Sequence, residues 1–510
     1  MKIISVTIRN FRGYEKATTI DFNDLTVFIG KNDVGKSTIL EALDLFFNEG
    51  KGTIKMEKTD LCVDSNDKDF EISVEFGDLP QNVVLDSQYQ TSLEEEYLLN
   101  DRHNLVVNKV FNGSKCTGTF INAKHPTNPL CSDLHSKKKS ELQKIIKEHN
   151  IACDNLNVNA VMRTSIWNHC DDLQLDYISI DVNSGDDTKH IWESLSKTLP
   201  SYSLFRADRP NSDNDKEVQD PLKMAVNQFF QDASIQDTLK SVAELVERKL
   251  REVSERTLDK LREMDSSIAD SLNPVIPTSE SLKWADVFTK SVSITSDDNI
   301  PINKRGSGVK RLILLNFFRA EAERRLEQGD STGIIYAIEE PETSQHFANQ
   351  KILVKAFQDL SKAPNTQVIL TTHSGIIVKE LDCDDIRLVS CESGKKTIQP
   401  IKPGVLGYTS LNEINYIAFN EITEEYHDEL YGYIESNHWL TEYESGKSQM
   451  KYIFEKDGKT KESSRTLTHY IRDVHHHPEN TNNAKYTMEQ LATSLKDMIT
   501  FIESKRRINI

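Results

Sequence analysis

Residues 30–38 constrain this chain more than any other stretch, because they read G-K-N-D-V-G-K-S-T and fit the pattern G-x-x-x-x-G-K-[ST]. An apolar run at 25–29 precedes them, and a helical pattern at 39–47 follows. Strand, glycine-rich loop and helix in this order predict a phosphate-binding loop, whose backbone N–H groups and helix N-terminus face an anion. A chance glycine-rich turn before a helix is the alternative, and the flanking elements argue against it.

Two side chains of this loop have a defined task in such a pattern. Lys36 would reach the β- and γ-phosphates of a nucleoside triphosphate, and the Ser37 hydroxyl would hold Mg²⁺. Upstream, a predicted strand at 3–9 leads into a turn at 10–14 that carries Arg12. This guanidinium could touch a nucleotide bound at the loop or form a surface salt bridge, and the sequence leaves both open.

The bulk properties limit the class of protein. A chain of 510 residues is too long for one hydrophobic core, so two or three domains are expected. A net charge of −18 opposes general nucleic-acid binding, which would need a local basic patch such as 137–139 or 505–507. No apolar run has the length of a membrane span, and no signal-peptide segment is evident. Seven scattered cysteines predict neither disulfides nor a zinc site, so we expect a cytoplasmic protein.

The first half of the chain mixes strand and helix patterns. Strict alternation at 70–77 predicts a half-buried antiparallel strand, with a hairpin at 105–110 and 117–122. Residues 130–200 are polar and helical in pattern, and we interpret them as an inserted lobe. Between 239 and 261, apolar residues recur at three- and four-residue spacing. This spacing predicts either a helical arm that packs or dimerises, or an ordinary amphipathic helix.

Three further signals follow in the second half. Residues 305–311, R-G-S-G-V-K-R, open an apolar helix. One apolar strand then ends in two glutamates at 339–340, and another ends at His373. Continuous apolar strands alternating with helices predict a parallel sheet covered on both faces.

Each of these signals predicts a chemical role beside a phosphate-binding loop. Glu339 would hold Mg²⁺ directly or through water, and Glu340 would orient and activate the attacking water. His373 would sense the γ-phosphate, although a lone histidine after a buried strand is often a satisfied core residue. The glycine turn at 306–308 is either a simple helix cap or a second anion contact, supplied to the loop of another protomer.

This order of motifs resembles the ABC-type ATPase head of the OLD, RecF and Rad50 group over roughly residues 1–80 and 200–400. The forms R-G-S-G-x-x-R and E-E-P-E are most similar to ATPase subunits of bacterial anti-phage systems such as Septu, PARIS, Gabija and some retrons. The resemblance implies an α/β fold with a mixed sheet covered by helices, a helical insertion or arm, and a mainly helical C-terminal domain. It also implies a homo-oligomer, at least a dimer, in which two heads sandwich two ATP molecules with Mg²⁺.

The resemblance also assigns roles and boundaries by position. Nucleotide contacts are expected from Arg12, Gly30, Asn32, Gly35, Lys36, Ser37, Thr38, Gly306, Ser307 and Gly308, with Ser307 acting in trans. Ser37 and Glu339 are expected to bind the metal, with Glu340 as the catalytic carboxylate and His373 as the switch histidine. The expected domains are 1–85 and 301–405 as halves of the head, 86–200 as the inserted lobe, 201–300 as the arm, and 406–510 as the C-terminal domain.

The last hundred residues carry a weaker resemblance. The acidic clusters of a Toprim domain, which usually follows an OLD head, do not stand out, so a metal nuclease is not expected. Arg472 and His477 are similar to the R-x4-6-H motif of HEPN RNases, although Asp473 departs from the usual neutral residue. The histidines at 475–477 could also bind a metal or end a helix. Our preferred interpretation is a HEPN-like fold for assembly or partner docking.

Three functions remain open at this stage. The leading one is an ATPase that senses a phage or nucleic-acid trigger and controls a separately encoded effector nuclease, without a membrane. The second is a self-contained toxin in which the ATPase gates its own HEPN RNase. The third is a RecF-like DNA-repair ATPase, which the charge of −18 opposes.

Overall fold

The computed structural model describes three stretches of the chain. They are residues 1–206, 233–264 and 333–508, with short gaps at 64, 66, 81–82, 87–88, 114, 344–346, 393–394, 402–403, 409 and 457–458. The chain divides into two compact units, one of residues 1–207 with 322–510 and the other of residues 208–321. Each unit is described by itself.

Strands and helices alternate through the first unit, and one helix is described in the second. The strands are β1 (Lys2–Arg9), β2 (Thr18–Asp21), β3 (Leu25–Ile29), β4 (Phe70–Gly77), β5 (Val83–Asp86), β6 (Tyr89–Thr91), β7 (Leu105–Asn112), β8 (Lys115–Pro126), β9 (Leu175–Asp181), β10 (Ser201–Phe205), β11 (Ile334–Glu339), β12 (Thr366–Thr371), β13 (Ile386–Glu392), β14 (Lys395–Pro400), β15 (Gln449–Lys456) and β16 (Lys459–Thr466). The helices are α1 (Lys36–Asn48), α2 (Lys139–Glu148), α3 (Asn159–His169), α4 (Asp186–Ser196), α5 (Ala233–Met264), α6 (Phe347–Ser361), α7 (Gly375–Lys379), α8 (Leu411–Phe419), α9 (Glu424–Ser436), α10 (Leu440–Glu444), α11 (Leu467–His476) and α12 (Met488–Ile508).

The sheet that contains β3, the strand before the glycine-rich loop, has the strand order β10-β11-β12-β3-β13-β14. Strands β10, β11, β12, β3 and β13 run parallel, and β14 returns antiparallel beside β13. Every residue of β3 and β12 is buried, as expected of continuous apolar strands covered on both faces. The predicted parallel strands are therefore confirmed, and the antiparallel edge makes the sheet mixed.

The second large sheet is antiparallel, with the order β2-β1-β4-β7-β8-β9. The alternating residues of β4 point into one core, and the predicted hairpin of β7 and β8 is confirmed. Strand β9 was not predicted, because residues 130–200 were expected to be helical. Its side chains are mostly exposed, and it is held by its pairing with β8, a long-range contact that the local pattern does not reveal.

Helix α1 joins the two sheets into one core. It contacts β10, β11 and β12 of the parallel sheet and β4 of the antiparallel sheet. A buried amide makes a second link, because Gln367 of β12 takes the place of a backbone peptide. Its Nε2 donates to the Ile3 carbonyl oxygen at 2.9 Å, and its Oε1 accepts from the Ile3 N–H at 2.7 Å.

The inserted lobe has its own small core around Trp167, built from α2, α3 and the turns before them. The structure joins Cys131 and Cys170 in a disulfide, so the expectation of unpaired cysteines was wrong for these two. Their separation of 39 residues carries no pairing signal, and only the folding of the lobe brings the sulfur atoms together.

The C-terminal region is mainly helical, as predicted. Helices α9, α11 and α12 pack around a core to which α12 contributes four fully buried residues, Leu491, Leu495, Met498 and Ile502. Met488, predicted on the same face, is 59% exposed. The hairpin of β15 and β16 was not predicted, because the sequence of β16, K-T-K-E-S-S-R-T, is polar throughout.

The second unit contains the helix α5, 32 residues long, within the region predicted as an arm. Ion pairs within the helix, such as Arg251 with Glu247, brace its surface, and several of its apolar residues are exposed. The predicted glycine turn and helix at 305–318 lie outside the described residues. The domain limits stay predictions. Within the described part of the chain, no helix is long and apolar enough to cross a membrane.

Candidate functional site

The parallel strands bring their carboxyl ends together at one edge of the sheet. Strand β12 lies between β3, which leads into the glycine-rich loop, and β11, which ends at Glu339. His373 follows β12 by two residues, and Arg206 follows β10 by one. Residues far apart in sequence therefore meet beside the loop, as ligand-binding residues do in α/β sheets.

The loop itself has the geometry of an anion site. Gly30 and Gly35 have φ values of 145° and 105°, which side chains rarely adopt. A Cβ on Gly30 would also lie 2.2 Å from the Val389 carbonyl oxygen, so glycine is required there. Helix α1 starts at Lys36 with no side-chain cap and no acidic residue in its first turn. Its positive N-terminus is therefore left for an external anion.

The Lys36 ammonium lies inside this loop. Its Nζ donates to the carbonyl oxygens of Gly30 at 2.9 Å and Lys31 at 2.8 Å. It also lies 3.4 Å from Nδ1 of His373. Burial lowers the pKa of Lys36 to about 8, although carboxylates led by Glu340 act in the opposite direction. A partly desolvated cation of this kind gains strongly from a phosphate partner.

Glu340 lies in an uncommon backbone conformation, with φ of 42°. Its N–H donates to the Thr371 carbonyl oxygen at 3.0 Å and to Thr371 Oγ1 at 3.2 Å, which holds the chain against β12. Its side-chain Oε1 is 2.7 Å from Nε2 of His373. Such conformations persist where neighbours impose them, and they cluster at functional sites.

His373 therefore stands between the two charged groups. Its Nδ1 faces the Lys36 ammonium and its Nε2 faces Glu340, so the ring accepts on one side and donates on the other. The side chain is 29% exposed, which does not fit the alternative of a satisfied core histidine. The structure thus brings together Lys36, Glu340 and His373, three of the residues to which the sequence assigns a role.

Glu342 was not singled out from the sequence, although it orders this histidine. Its Oε1 accepts from the His373 N–H and from Thr372 Oγ1, both at 2.7 Å. Its Oε2 is buried and has no hydrogen-bond partner in the described structure. The sequence shows this third carboxylate as the last residue of the E-E-P-E motif. Only the structure shows that it holds the backbone of His373.

Glu339 belongs to a chain of ion pairs. Its Oε2 lies 3.3 Å from Nε of Arg206, whose other nitrogen lies 3.4 Å from the buried Glu41 of α1. Arg12 also pairs with Glu41 and with Asp60. Arg12 thus forms salt bridges in the structure, and its contact with a nucleotide stays a prediction. Arg206 was not singled out from the sequence. The signal that points to it is its position directly after β10, whose carboxyl end lies at the same edge of the sheet.

The remaining predicted residues are placed as follows. Ser37 and Thr38 are half-buried in the first turn of α1, and Asn32 is exposed on the loop. The residues at 306–308 lie outside the described stretches. In the C-terminal region the Arg472 guanidinium lies 4.4 Å from the Tyr431 ring centre, and Nδ1 of His477 lies 3.1 Å from Glu479. The described contacts do not join these two residues.

The donor set fits a nucleotide with magnesium. The Lys36 ammonium and the uncapped N-terminus of α1 suit phosphate, and the oxygens of Ser37 and Glu339 are the hard ligands that Mg²⁺ prefers. Among the residues that the structure describes, no group of three or more His, Cys, Asp or Glu side chains could hold a metal ion. A magnesium ion here would take its other ligands from phosphate and water.

This fold and this site define a P-loop ATPase. Residues 1–378 match the family described as AAA ATPase domain. The match spans well over half of the chain, so the chain belongs to this family and is an ATPase that uses ATP. The comparison with curated proteins gave no match.

Several solved structures are similar. One is an SMC head bound to the C-winged helix domain of ScpA, 13% identical with a TM-score of 0.40, covering 79% of this chain and 98% of that one. Another is the SMC head domain from Thermotoga maritima, 12% identical with a TM-score of 0.32, covering 79% and 100%. A third is the Smc head domain with an extended coiled coil bound to the C-terminal domain of ScpA, from Pyrococcus furiosus, 14% identical with a TM-score of 0.35, covering 82% and 98%.

Proposed function

We propose that this ATPase hydrolyses ATP between two copies of the chain, and that its ATP cycle controls a separately encoded effector nuclease in defence against phage. One observation carries the proposal: the single imidazole of His373 contacts both Lys36 and Glu340. A ligand that engages Lys36 therefore also acts on the carboxylate that would activate water. Such a link is what an ATPase needs to couple nucleotide binding to a switch.

The chain's own residues divide the proposed reaction among them. Lys36 and the loop N–H groups bind the phosphates, and Ser37 and Glu339 would hold Mg²⁺, which supplies charge neutralisation when bound. Glu340 orients the attacking water and accepts its proton. His373 holds the Glu340 carboxylate by donating from Nε2, and it leaves this contact when its other partner changes.

Dimerisation is supported by how open the site is. The side chains of Glu340 and His373 are 27% and 29% exposed, so water reaches the catalytic carboxylate in a single chain. Hydrolysis is more efficient where bulk water is excluded and charges act in a low dielectric. We assign the closing group to Ser307 of the second copy, as the resemblance to ABC-type heads suggests.

Binding and hydrolysis assays on three variants test the ATPase roles. Lys36→Ala should lose binding of a fluorescent ATP analogue and turnover. Glu340→Gln should keep binding and lose turnover at least about 100-fold. Ser307→Arg should also bind and fail to hydrolyse. The control Arg9→Gln removes a surface ion pair with Asp67 and Glu71 and should behave as wild type. Normal turnover by Glu340→Gln would contradict the catalytic assignment.

The oligomer can be measured with the same variants. Glu340→Gln should form a dimer or larger assembly when ATP is added, as measured by light scattering after size exclusion, because it binds ATP without consuming it. Ser307→Arg should bind ATP and keep the mass that it has without nucleotide. A Glu340→Gln protein that binds ATP and shows no change in mass would refute the sandwich.

The defence role needs the neighbouring gene. Cells that carry this chain with the adjacent reading frame should resist phage in plaque assays, and Lys36→Ala should remove the protection. Cleavage of nucleic acid should follow the partner nuclease rather than this chain. Full protection by Lys36→Ala would overturn the proposal that ATP controls the response.

The C-terminal helices are proposed to dock the partner rather than to cleave RNA. The Arg472 guanidinium is occupied by the Tyr431 ring, and His477 is paired with Glu479. A HEPN RNase needs both groups at one phosphate. Arg472→Ala with His477→Ala should therefore leave protection unchanged, and loss of RNA cleavage by the purified chain would support the toxin alternative instead.

A further inference from the structure

Lys396 of β14 lies against the phosphate-binding loop, although it comes from the last strand of the sheet. A Cβ built on Gly35 would lie 2.6 Å from its Nζ, and one on Gly13 would lie 2.4 Å away. Only glycines at these two positions leave room for the ammonium. Gly35 is the N-cap of α1, so the charge of Lys396 stands at the start of the helix that follows the loop.

The ammonium lacks a direct anionic partner. In the part of the chain that the structure describes, the Lys396 side chain makes no hydrogen bond and no ion pair. Its ammonium faces the Tyr14 ring at 5.1 Å, and the Tyr14 hydroxyl in turn donates to the Gly35 carbonyl oxygen at 3.0 Å. Arg12, the other cation of this neighbourhood, is already neutralised by Glu41 and Asp60.

This placement is electrostatically unfavourable without a ligand. Burial lowers the pKa of Lys396, and Arg12 acts in the same direction, while Cys391, Cys62 and the carboxylate of Asp33 oppose burial without outweighing it. The N-terminus of a helix is itself positive, and Lys36 adds a second ammonium in the first turn. An anion at the loop would remove the repulsion among all three positive groups.

We propose that Lys396 is a second nucleotide-binding lysine, whose ammonium contacts a phosphate group of the nucleotide held by the loop at 30–38. The inference rests on the proposed nucleotide site and adds a ligand from an element that carries no nucleotide motif. A phosphate is favoured over the base because the ammonium stands at the helix N-terminus, where phosphates bind. Lys396 thus takes the task that the sequence offered to Arg12.

Calorimetric titration with ADP in the absence of hydrolysis tests this role. Lys396→Gln should weaken ADP binding about tenfold, as expected for the loss of one charge-assisted hydrogen bond. Lys395→Gln is the matched control, because it removes the same charge from the preceding residue of the strand, whose side chain is exposed. It should bind ADP as wild type does.

Thermal unfolding without nucleotide separates binding from a structural role. Lys396→Gln removes an unpaired cation, so its midpoint without ADP should equal or exceed that of wild type, while the upward shift caused by ADP should shrink. A lowered midpoint without ADP, or ADP affinity within twofold of wild type, would overturn the inference. If wild type itself bound no ADP, the proposed function would fail first, so the two failures are distinguishable.

Discussion

A buried carboxylate in the inserted lobe gives the sharpest stability prediction. Glu96 is fully buried and accepts hydrogen bonds from Nε and a terminal nitrogen of Arg163, at 2.8 and 3.0 Å. His135 lies 2.9 Å from the same carboxylate, and Arg163 also pairs with Asp187. The substitution Glu96→Gln keeps the shape of the side chain and removes its charge, which leaves the buried guanidinium only partly compensated.

The magnitude follows from the pKa of Glu96. Burial alone would raise it, but the charge of Arg163 and the hydrogen bonds outweigh burial and lower the pKa from 4.5 to about 2. That shift corresponds to about 3 kcal/mol of stability in the charged form. Breaking one partner out of a buried ion pair costs about 3–5 kcal/mol in other proteins, which is the same range.

The sign with pH follows from the depressed pKa. The contribution of Glu96 is complete above its unfolded pKa of 4.5 and is lost as the pH falls through about 2. The buried His125 and His135 have lowered pKa values, so their protonation opposes folding as the pH falls below about 6.5, and the charge of Glu96 raises the pKa of both. The difference in stability between the two proteins should therefore be constant above about pH 6.5, and the part that comes from the Glu96 charge should be lost between pH 4.5 and about 2.

Hydrogen exchange in α3 is the appropriate assay, because it reports the opening of the lobe itself rather than the unfolding of the whole chain, which divides into two compact units. At pH 7 the slowest amides of this helix should exchange roughly 100-fold faster in Glu96→Gln, provided that they exchange by opening of the lobe. Asp101→Asn is the control, since its pair with Lys124 is exposed to solvent and should contribute little to stability. A change below about fivefold in Glu96→Gln would refute the reasoning.

Three other predictions concern the head and the C-terminal core. Gly30→Ala should abolish nucleotide binding while the chain stays folded by circular dichroism, because its Cβ would collide with the Val389 carbonyl; retained binding would contradict this. Arg206→Gln should lower the Mg²⁺ concentration for half-maximal hydrolysis several-fold, because a cation that competes for Glu339 is removed; an unchanged requirement would contradict it. Ser494→Ala should destabilise the C-terminal core by about 1–3 kcal/mol in hydrogen exchange, because two buried side chains lose a partner; unaltered protection would contradict it.

The parts of the site that the sequence predicted are those written in contiguous residues. The glycine-rich loop, the two apolar strands and the residues at their ends each fit within about ten positions, so local pattern was sufficient for them. Their meeting at one edge is a finding of the structure, in keeping with the rule that ligand-binding residues gather at the carboxyl ends of parallel strands. There His373 contacts both Lys36 and Glu340.

The parts that could not be predicted depend on distant pairs. Arg206 is opposite Glu41 only because α1 packs across β10, and Lys396 reaches Gly35 only because β14 lies at the sheet edge. Neither residue carries a motif. Strands β9 and β16 were missed because β9 is mostly exposed and β16 is polar throughout, so that pairing with a distant or adjacent strand defines them.

The side-chain amide of Gln367 has a mechanical consequence. It donates one hydrogen bond to the backbone of Ile3 and accepts another from it. This pair of hydrogen bonds joins β12 to β1 of the other sheet in the same pattern that joins neighbouring strands. The strand that precedes His373 is therefore held to the antiparallel sheet near its other end. Any displacement of β12 along its axis would have to carry β1 with it or break this buried amide contact. A movement of β12 that starts at its phosphate-binding end would therefore be transmitted to the antiparallel sheet.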